Sequence, residues 1–155
     1  MPDPSTTAGV TVERAGLDDL EALVPLFDAY RVFYRETSDL DGSRKFLEAR
    51  LRRDESVIFI ARQGPEAVGF TQLYPAFSST AMCPMWILND LYVRPSVRRR
   101  GVGALLLERA KQLAAETDAE SVILDTAVDN PAQRLYEARG WRLDREFLHY
   151  EWRRT

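Results

Sequence analysis

Hydrophobic positions change their spacing several times along this chain, and each change marks an element. After a polar opening over residues 1–9, "VTVERA" alternates with the period of a short strand. Helical spacing follows: Leu20, Leu23, Val24, Phe27, Tyr30 and Val32 to Phe33 recur along "GLDDLEALVPLFDAYRVFYRE", and Pro25 predicts a kink or a split within it. Ser38 or Asp39 supplies a cap for "SDLDGSRKFLEARLRRD", whose Phe46, Leu47 and Leu51 share a side. Two helices therefore precede most of the strands.

Beyond Glu55 the pattern becomes that of strands. "SVIFIAR", the turn signal "QGPE" and "AVGFTQLYP" predict an antiparallel hairpin. "AFSSTAMCP" reads as a loop and "MWILNDLYV" as a long central strand. A third helix carries Leu105, Leu106, Arg109, Ala110 and Leu113 in register and ends near Thr117. "SVILDTA" has the continuous apolar character of a strand buried on both faces. "NPAQRLYEARG" is a short helix with Pro131 at its first turn and Gly140 as its stop, and "WRLDREFLHYEW" supplies one or two closing strands. No repeat or linker interrupts residues 10–155, so one α+β domain with a mixed sheet is expected behind a flexible tail of residues 1–9.

Composition narrows what such a domain can do. The 155 residues are 45% hydrophobic and 29% charged, the profile of a soluble globular protein. A net charge of −3 argues against a general nucleic-acid binder, which carries a basic excess over a whole face. The single cysteine, Cys83, has no internal disulfide partner and no metal-ligand spacing; a reducing cytoplasm is the simplest compartment, and no metal is expected. No apolar run approaches the roughly 20 residues that span a bilayer, so no membrane partner is expected either.

Against that background the run "VRRRGVGALLLERA" is a local feature. A strand, a glycine-bearing loop and a helix N-terminus together present several backbone N–H groups to one anion. Gly101 and Gly103 let phosphate oxygens approach the main chain, and Arg98, Arg99 and Arg100 add charge at the same mouth. The segment lacks the lysine and spacing of a nucleoside-triphosphate loop and the third glycine of a dinucleotide fingerprint.

Arg98-x-x-Gly101-x-Gly103, preceded by "NDLYVRP" and followed by a leucine-rich helix, resembles the acetyl-CoA signature of the GNAT superfamily of N-acetyltransferases. "DNPAQRLYEARGW" resembles the family's following segment, where an Asn precedes a short helix bearing a Tyr and a terminal Gly. "YRVFYRETSDLDGSRKFLEARL" and "GFTQLYPAFSSTAMCPMWILNDLYV" are similar to a narrower branch with fungal histone and D-amino-acid N-acetyltransferases and bacterial relatives. The resemblance implies a twisted, mixed, mostly antiparallel sheet flanked by about four helices. It also implies acetyl-CoA as cofactor, with pyrophosphate on the N–H groups of Arg99, Arg100, Gly101, Val102, Gly103 and Ala104. Pantetheine would run beside Leu91, Tyr92 and Val93, where a bulged or splayed sheet frees main-chain groups.

Acetyl transfer from a thioester to an amine needs a neutral nucleophile, an oxyanion donor and a proton for the leaving thiolate. An alkyl ammonium has a pKa near ~10.4, so a base or a water path must take its proton near neutrality. The resemblance makes Tyr136 the acid, against a plainer role in packing its helix. Asn130 either bonds pantetheine or caps that helix. Relatives often carry an acidic residue in the stretch matching "WILNDLYV". Here Asn89 cannot titrate, and Asp90 is either a base acting through water or a structural carboxylate satisfied by main-chain donors. Strand alternation predicts that Asn89 and Asp90 point to opposite faces and share no task. The oxyanion donor falls to a main-chain N–H near Leu91 to Val93.

The amine acceptor, small molecule or protein, would enter where Phe33, Tyr34, Tyr74, Phe77 and Trp86 can form walls, with Asn89 nearby and Glu36 or Asp39 attracting a cation. Each has a plainer reading as a core aromatic or a helix cap. Cys83 lacks a nearby base for a nucleophilic role, and His149 reads as structural or interfacial. The alternating "EFLHYEW" suits a homodimer contact. A noncatalytic acetyl-CoA-binding or interaction module with the same fold is the rival reading.

Overall fold

The computed structural model describes residues 9–155, so of the opening segment only Gly9 is described, in a turn. The chain divides into two compact units that part after Asp125. The first holds five strands: β1 (Val10–Arg14), β2 (Val57–Gln63), β3 (Glu66–Ser78), β4 (Cys83–Val93) and β5 (Val122–Ile123). They lie in the order β1-β2-β3-β4-β5, with β4–β5 parallel and the other pairings antiparallel. Helices α1 (Leu20–Phe33), α2 (Leu40–Arg52) and α3 (Val102–Glu116) belong to the same unit, and α4 (Gln133–Ala138) to the second. The mixed α+β architecture expected from the sequence is present.

What covers β2 explains why its sequence does not alternate. Ile58 and Ile60 pack into a core with Leu23, Phe27 and Leu47 of α1 and α2. Phe59, between them, carries the Arg109 guanidinium of α3 over its ring at 4.4 Å. Successive side chains of a strand face opposite ways, so α1 and α3 cover opposite faces and every position of "VIFIA" is buried. The same division holds on β3. Phe70 meets Phe27 with ring centroids 6.2 Å apart, while Gly69 lies against Leu106 of α3.

Helix α1 runs through Pro25 without splitting. Pro25 is exposed, so the carbonyl of Glu21 that loses its N–H partner faces solvent rather than the core. The turn into α2 is built on Asp28, whose buried carboxylate accepts from Ser38 Oγ at 2.7 Å and from the Asp39 N–H at 2.7 Å. Asp39 is the cap of α2, accepting from the Gly42 N–H at 2.8 Å. Its carboxylate is thereby committed to the helix end, the plainer of its two expected roles.

Three expectations are corrected. First, part of "AFSSTAMCP" is strand, since β3 continues to Ser78 and β4 begins at Cys83, leaving a turn between them. Second, "SVILDTA" forms only the two residues of β5, and Ile123 is 47% exposed. Its ladder pairs Trp86 with Val122 and Ile87 with Ile123, then stops where β4 departs from regular register with β3. An apolar run reports burial preference and not the length of regular edge available to pair with. Third, no strand forms in residues 141–155. Alternation in "EFLHYEW" offers a face, but a strand also needs a ladder partner, and none of these residues has one. Among the described residues no helix is long and apolar enough to cross a membrane.

Within the second unit, Asn130 Oδ1 accepts from the Ala132 N–H at 2.9 Å, and Gln133 Nε2 donates to Val128 O at 2.7 Å. These bonds fix the approach to α4, which starts two residues after Pro131. The Trp141 N–H closes the far end on Tyr136 O at 3.0 Å.

Close approach at Gly69 gives a stability test. A Cβ there would sit 2.9 Å from the Tyr92 carbonyl oxygen and 3.4 Å from Leu106 Cδ1. Gly69→Ala should therefore cost about 1–3 kcal/mol through overpacking, read as a lower urea midpoint at unchanged slope.

Candidate active site

Strand β4 carries an extra residue at the point where the site begins. Gln72 pairs with Asp90 and Leu73 with Leu88, so Asn89 has no partner on β3 and the strand bulges. The bulge breaks alternation and overturns the expectation that Asn89 and Asp90 face apart: Asn89 Nδ2 donates to Asp90 Oδ1 at 2.8 Å. The Asn89 carbonyl accepts from the Tyr30 hydroxyl of α1 at 3.1 Å.

Asp90 is only 2% exposed. Its other oxygen accepts from Gln72 Nε2 at 2.5 Å, and Gln72 Oε1 in turn accepts from Ser56 Oγ at 2.8 Å. The carboxylate is thus met by side-chain amides, which corrects the expectation of main-chain donors. Thr71 Oγ1 donates to the Asp90 carbonyl at 2.7 Å and steadies the main chain at the same residue. Burial raises the Asp90 pKa, and the Gln72 and Asn89 amides, with the nearby Tyr30 phenol, oppose that rise. The Tyr74 phenol is pushed up to about 12, first by burial and then by the Asp90 charge. Tyr30 is raised further by the same two causes, so both phenols stay protonated at neutral pH.

The aromatic residues expected to form one wall divide into groups. Tyr34 stands edge-on to Tyr30 and to Phe33, with centroids 5.0 and 5.2 Å apart, at the C-terminal end of α1. Tyr74 is near enough to Asp90 and Tyr30 for their charges to act on one another. Phe77, 80% exposed, lies out on the β3–β4 arm. Trp86 is turned to the other face of the sheet, where its Nε1 donates to Thr117 Oγ1 at 2.8 Å just past α3.

The glycine segment has the concave backbone that anion binding wants. Arg99 has φ +63° and Gly101 φ +85°, so two left-handed residues flank Arg100. Gly101 precedes α3 with no side-chain cap, and the first helical bond is Leu105 N–H to Gly101 O at 3.1 Å. The N–H groups of Val102, Gly103 and Ala104 come ahead of that bond, while the side chains of Val102 and Ala104 are buried. Arg98, Arg99 and Arg100 are all exposed. Arg98 also donates from Nε to the Val93 carbonyl at 2.8 Å and lies over the Phe33 and Tyr92 rings at 5.6 and 5.5 Å. It ties the glycine segment to the ends of β4 and α1. Asn130 and Tyr136 belong to the second unit, where the Tyr136 ring lies 6.3 Å from that of Trp141.

Sequence reasoning passed over Tyr30, Gln72 and Ser56. Gln72 was visible as a polar residue inside the apolar run "VGFTQLY", the one signal that a polar partner had to be buried with it.

The raised Asp90 pKa has a definite sign in stability. Folded Asp90 holds its proton to higher pH than unfolded Asp90, so stability falls as pH rises from the ordinary carboxylate value through the folded one. Subtracting the unfolding free energy of Asp90→Asn from that of the parent at each pH isolates this group. The difference should decline with pH above about 4, by up to about 1.4 kcal/mol per unit; a flat difference would show that Asp90 titrates normally.

Comparison with known proteins places this geometry. The acetyltransferase (GNAT) family model matches residues 23–141. An uncharacterized N-acetyltransferase of Bacillus subtilis (strain 168) is 46% identical over 142 residues, covering 91% of this chain and 95% of the relative. The crystal structure of a probable acetyltransferase, 48% identical, superposes with a TM-score of 0.88 over 93% of this chain and 97% of that one. An aminoglycoside N-acetyltransferase solved in complex with CoA, 22% identical, shares the fold with a TM-score of 0.78 over 99% of each chain. By sequence and by fold, the chain belongs to the acetyltransferase (GNAT) family.

Proposed function

We propose that the protein transfers an acetyl group from acetyl-CoA to a primary amine, directly and within a ternary complex. The observation that carries this reading is the β4 bulge, which sets a buried carboxylate and the end of the β5 ladder on one strand just ahead of the uncapped N-terminus of α3. Pyrophosphate would rest on the N–H groups of Arg99 to Ala104, with Arg98, Arg99 and Arg100 supplying charge. Pantetheine would pair with main-chain groups of Leu91 to Val93, a stretch beyond the β5 ladder. The fold neighbour in complex with CoA supports the same cofactor.

Acetyl-CoA supplies an activated thioester; the chain supplies proton control. The amine nitrogen bonds to the thioester carbon and the carbon–sulfur bond breaks. Asp90 takes the proton that the amine must lose, and the Tyr136 phenol protonates the departing thiolate. A main-chain N–H near Leu91 to Val93 stabilises the oxyanion. The acceptor side would be the C-terminal end of α1, with Phe33 and Tyr34. A cytosolic homodimer is part of this proposal, supported by the single cysteine and by the exposed Phe147, Tyr150 and Trp152 of the second unit.

Saturating acetyl-CoA should raise the unfolding midpoint, since a ligand held at a hundred times its Kd stabilises by about 2.7 kcal/mol. Gly101→Val, which forces a branched side chain to φ +85°, should abolish most of that rise. An amine panel scored by thiol release then identifies the acceptor. With it, Tyr136→Phe should lower kcat about a hundredfold or more with the acetyl-CoA midpoint shift retained. A retained shift with no thiol release from any amine would favour a noncatalytic acetyl-CoA-binding module, and no shift would defeat both readings.

A further inference from the structure

We infer that Thr71 is a positioning residue for acetyl transfer: its hydroxyl holds and polarises the Asp90–Leu91 peptide, so that the Leu91 N–H is the donor to the oxyanion. The inference rests on the acetyl-transfer reading above and singles out one main-chain group from the stretch Leu91 to Val93. Thr71 is fully buried, and its Oγ1 donates across from β3 to the Asp90 carbonyl of β4 at 2.7 Å. A trans peptide points its C=O and its N–H in opposite directions, and no cis peptide occurs among the described residues. With the Asp90 carbonyl aimed at β3, the Leu91 N–H is aimed away from it.

The end of β4 gives the same alternation independently. Backbone groups of successive residues in an antiparallel strand face opposite edges. The Arg94 N–H donates to Val68 O on β3 at 2.8 Å, so Arg94, Tyr92 and Asp90 face β3. Val93 and Leu91 face the other edge, where the Val93 carbonyl accepts from Arg98 Nε at 2.8 Å. That edge is the one with which β5 pairs, and the β5 ladder stops at Ile87. Leu91 and Val93 are therefore the two residues of the stretch whose N–H groups face the cofactor path. Val93 stands beside Arg98 and the glycine segment, at the pyrophosphate end of that path. Leu91 follows Asp90, the proposed base, and stands at the thioester end.

Burial alone does not account for a threonine here. Valine has the same branched shape and fills a buried strand position without needing a hydrogen-bond partner. The Asp90 carbonyl also faces its ladder partner Gln72 on β3, so the hydroxyl is a further donor to the same oxygen. A donor on the oxygen of a peptide polarises the whole unit and strengthens its N–H as a donor in turn. The bond also fixes the direction of that N–H before negative charge develops, which is what an oxyanion donor requires. The Tyr30 hydroxyl holds the preceding peptide by donating to the Asn89 carbonyl at 3.1 Å. Both peptides that flank Asp90 are thus anchored by hydroxyls of neighbouring elements, one from α1 and one from β3. Neither Thr71 nor Leu91 gains or loses a proton; the Leu91 N–H donates to the oxygen while it carries the electron pair that returns when the carbon–sulfur bond breaks.

Thr71→Val keeps the branched shape and removes the hydroxyl, whereas Thr71→Ser keeps the hydroxyl. With an acceptor from the amine panel, Thr71→Val should lower kcat about tenfold or more at unchanged acetyl-CoA KM, and Thr71→Ser should retain most of the parent rate. Infrared difference spectra of acetyl-CoA, isotope-labelled at the acetyl carbonyl and bound without amine, supply a readout free of turnover. The thioester stretch should lie below its solution frequency in the parent and in Thr71→Ser, and return towards that frequency in Thr71→Val. An unchanged kcat or stretch in Thr71→Val, or a Thr71→Ser as impaired as Thr71→Val, overturns the inference. In the unsubstituted protein, acetyl-CoA compared with CoA should move the Leu91 amide proton downfield and leave that of Tyr92 in place; a response at Val93 instead of Leu91 overturns it as well. A parent that releases no thiol from any amine defeats the acetyl-transfer reading and the inference with it. An active parent beside an unaffected Thr71→Val defeats the inference alone.

Discussion

One unmatched residue in β4 is the constraint on which the candidate site depends. Because Asn89 has no partner on β3, the strand turns its side chains so that Leu88 pairs with Leu73 while Asp90 pairs with Gln72. Asp90 is thereby sent to the α1 side, among Gln72, Tyr30 and Tyr74, and the parallel ladder with β5 ends at Ile87 just before. Without the bulge, regular alternation would carry Leu88 and Asp90 on one face together, with Asn89 opposite them. A carboxylate inside the molecule and a length of strand past its β5 pairing are two results of the same irregularity.

Holding a carboxylate at that depth is costly, and the surrounding polar side chains reduce the cost without removing it. The amides of Asn89 and Gln72 each meet one oxygen, and Ser56 fixes the orientation of the Gln72 amide by donating to its other end. Hydrogen bonds from neutral amides stabilise the charge less than a cation would, so the pKa stays raised. An arginine in place of Gln72 would secure the charge and reduce its capacity to accept a proton near neutrality. The arrangement suits a group that must change its protonation state more than one that serves only to stabilise the fold.

Two layers of helix on opposite faces of one sheet keep the chemical tasks apart. The α1 face carries the polar cluster and the aromatic end of α1. The α3 face carries the buried leucines of "ALLL" and the Trp86–Thr117 bond that pins the far end of that helix. Arg98 connects the layers at one point, bonded to Val93 and stacked on Phe33 and Tyr92. Its Nε serves the main chain, and its guanidinium is exposed at the mouth beside those of Arg99 and Arg100.

The sequence by itself determined the helices and most of the strands, because their periods reflect which face each residue buries. It also determined the glycine-led start of α3, because the left-handed turn before a helix and the run of leucines after it are local properties. The short β5, the missing closing strands and the meeting of Asn89 with Asp90 were decided only in the tertiary structure. So was the enlistment of Tyr30, fifty-nine residues from the carbonyl it bonds. Periodicity reports the face that each residue offers within its own element. Whether a strand has a partner, and whether one residue is left over between two of them, are properties of the pair, and they exist only once both strands are in place.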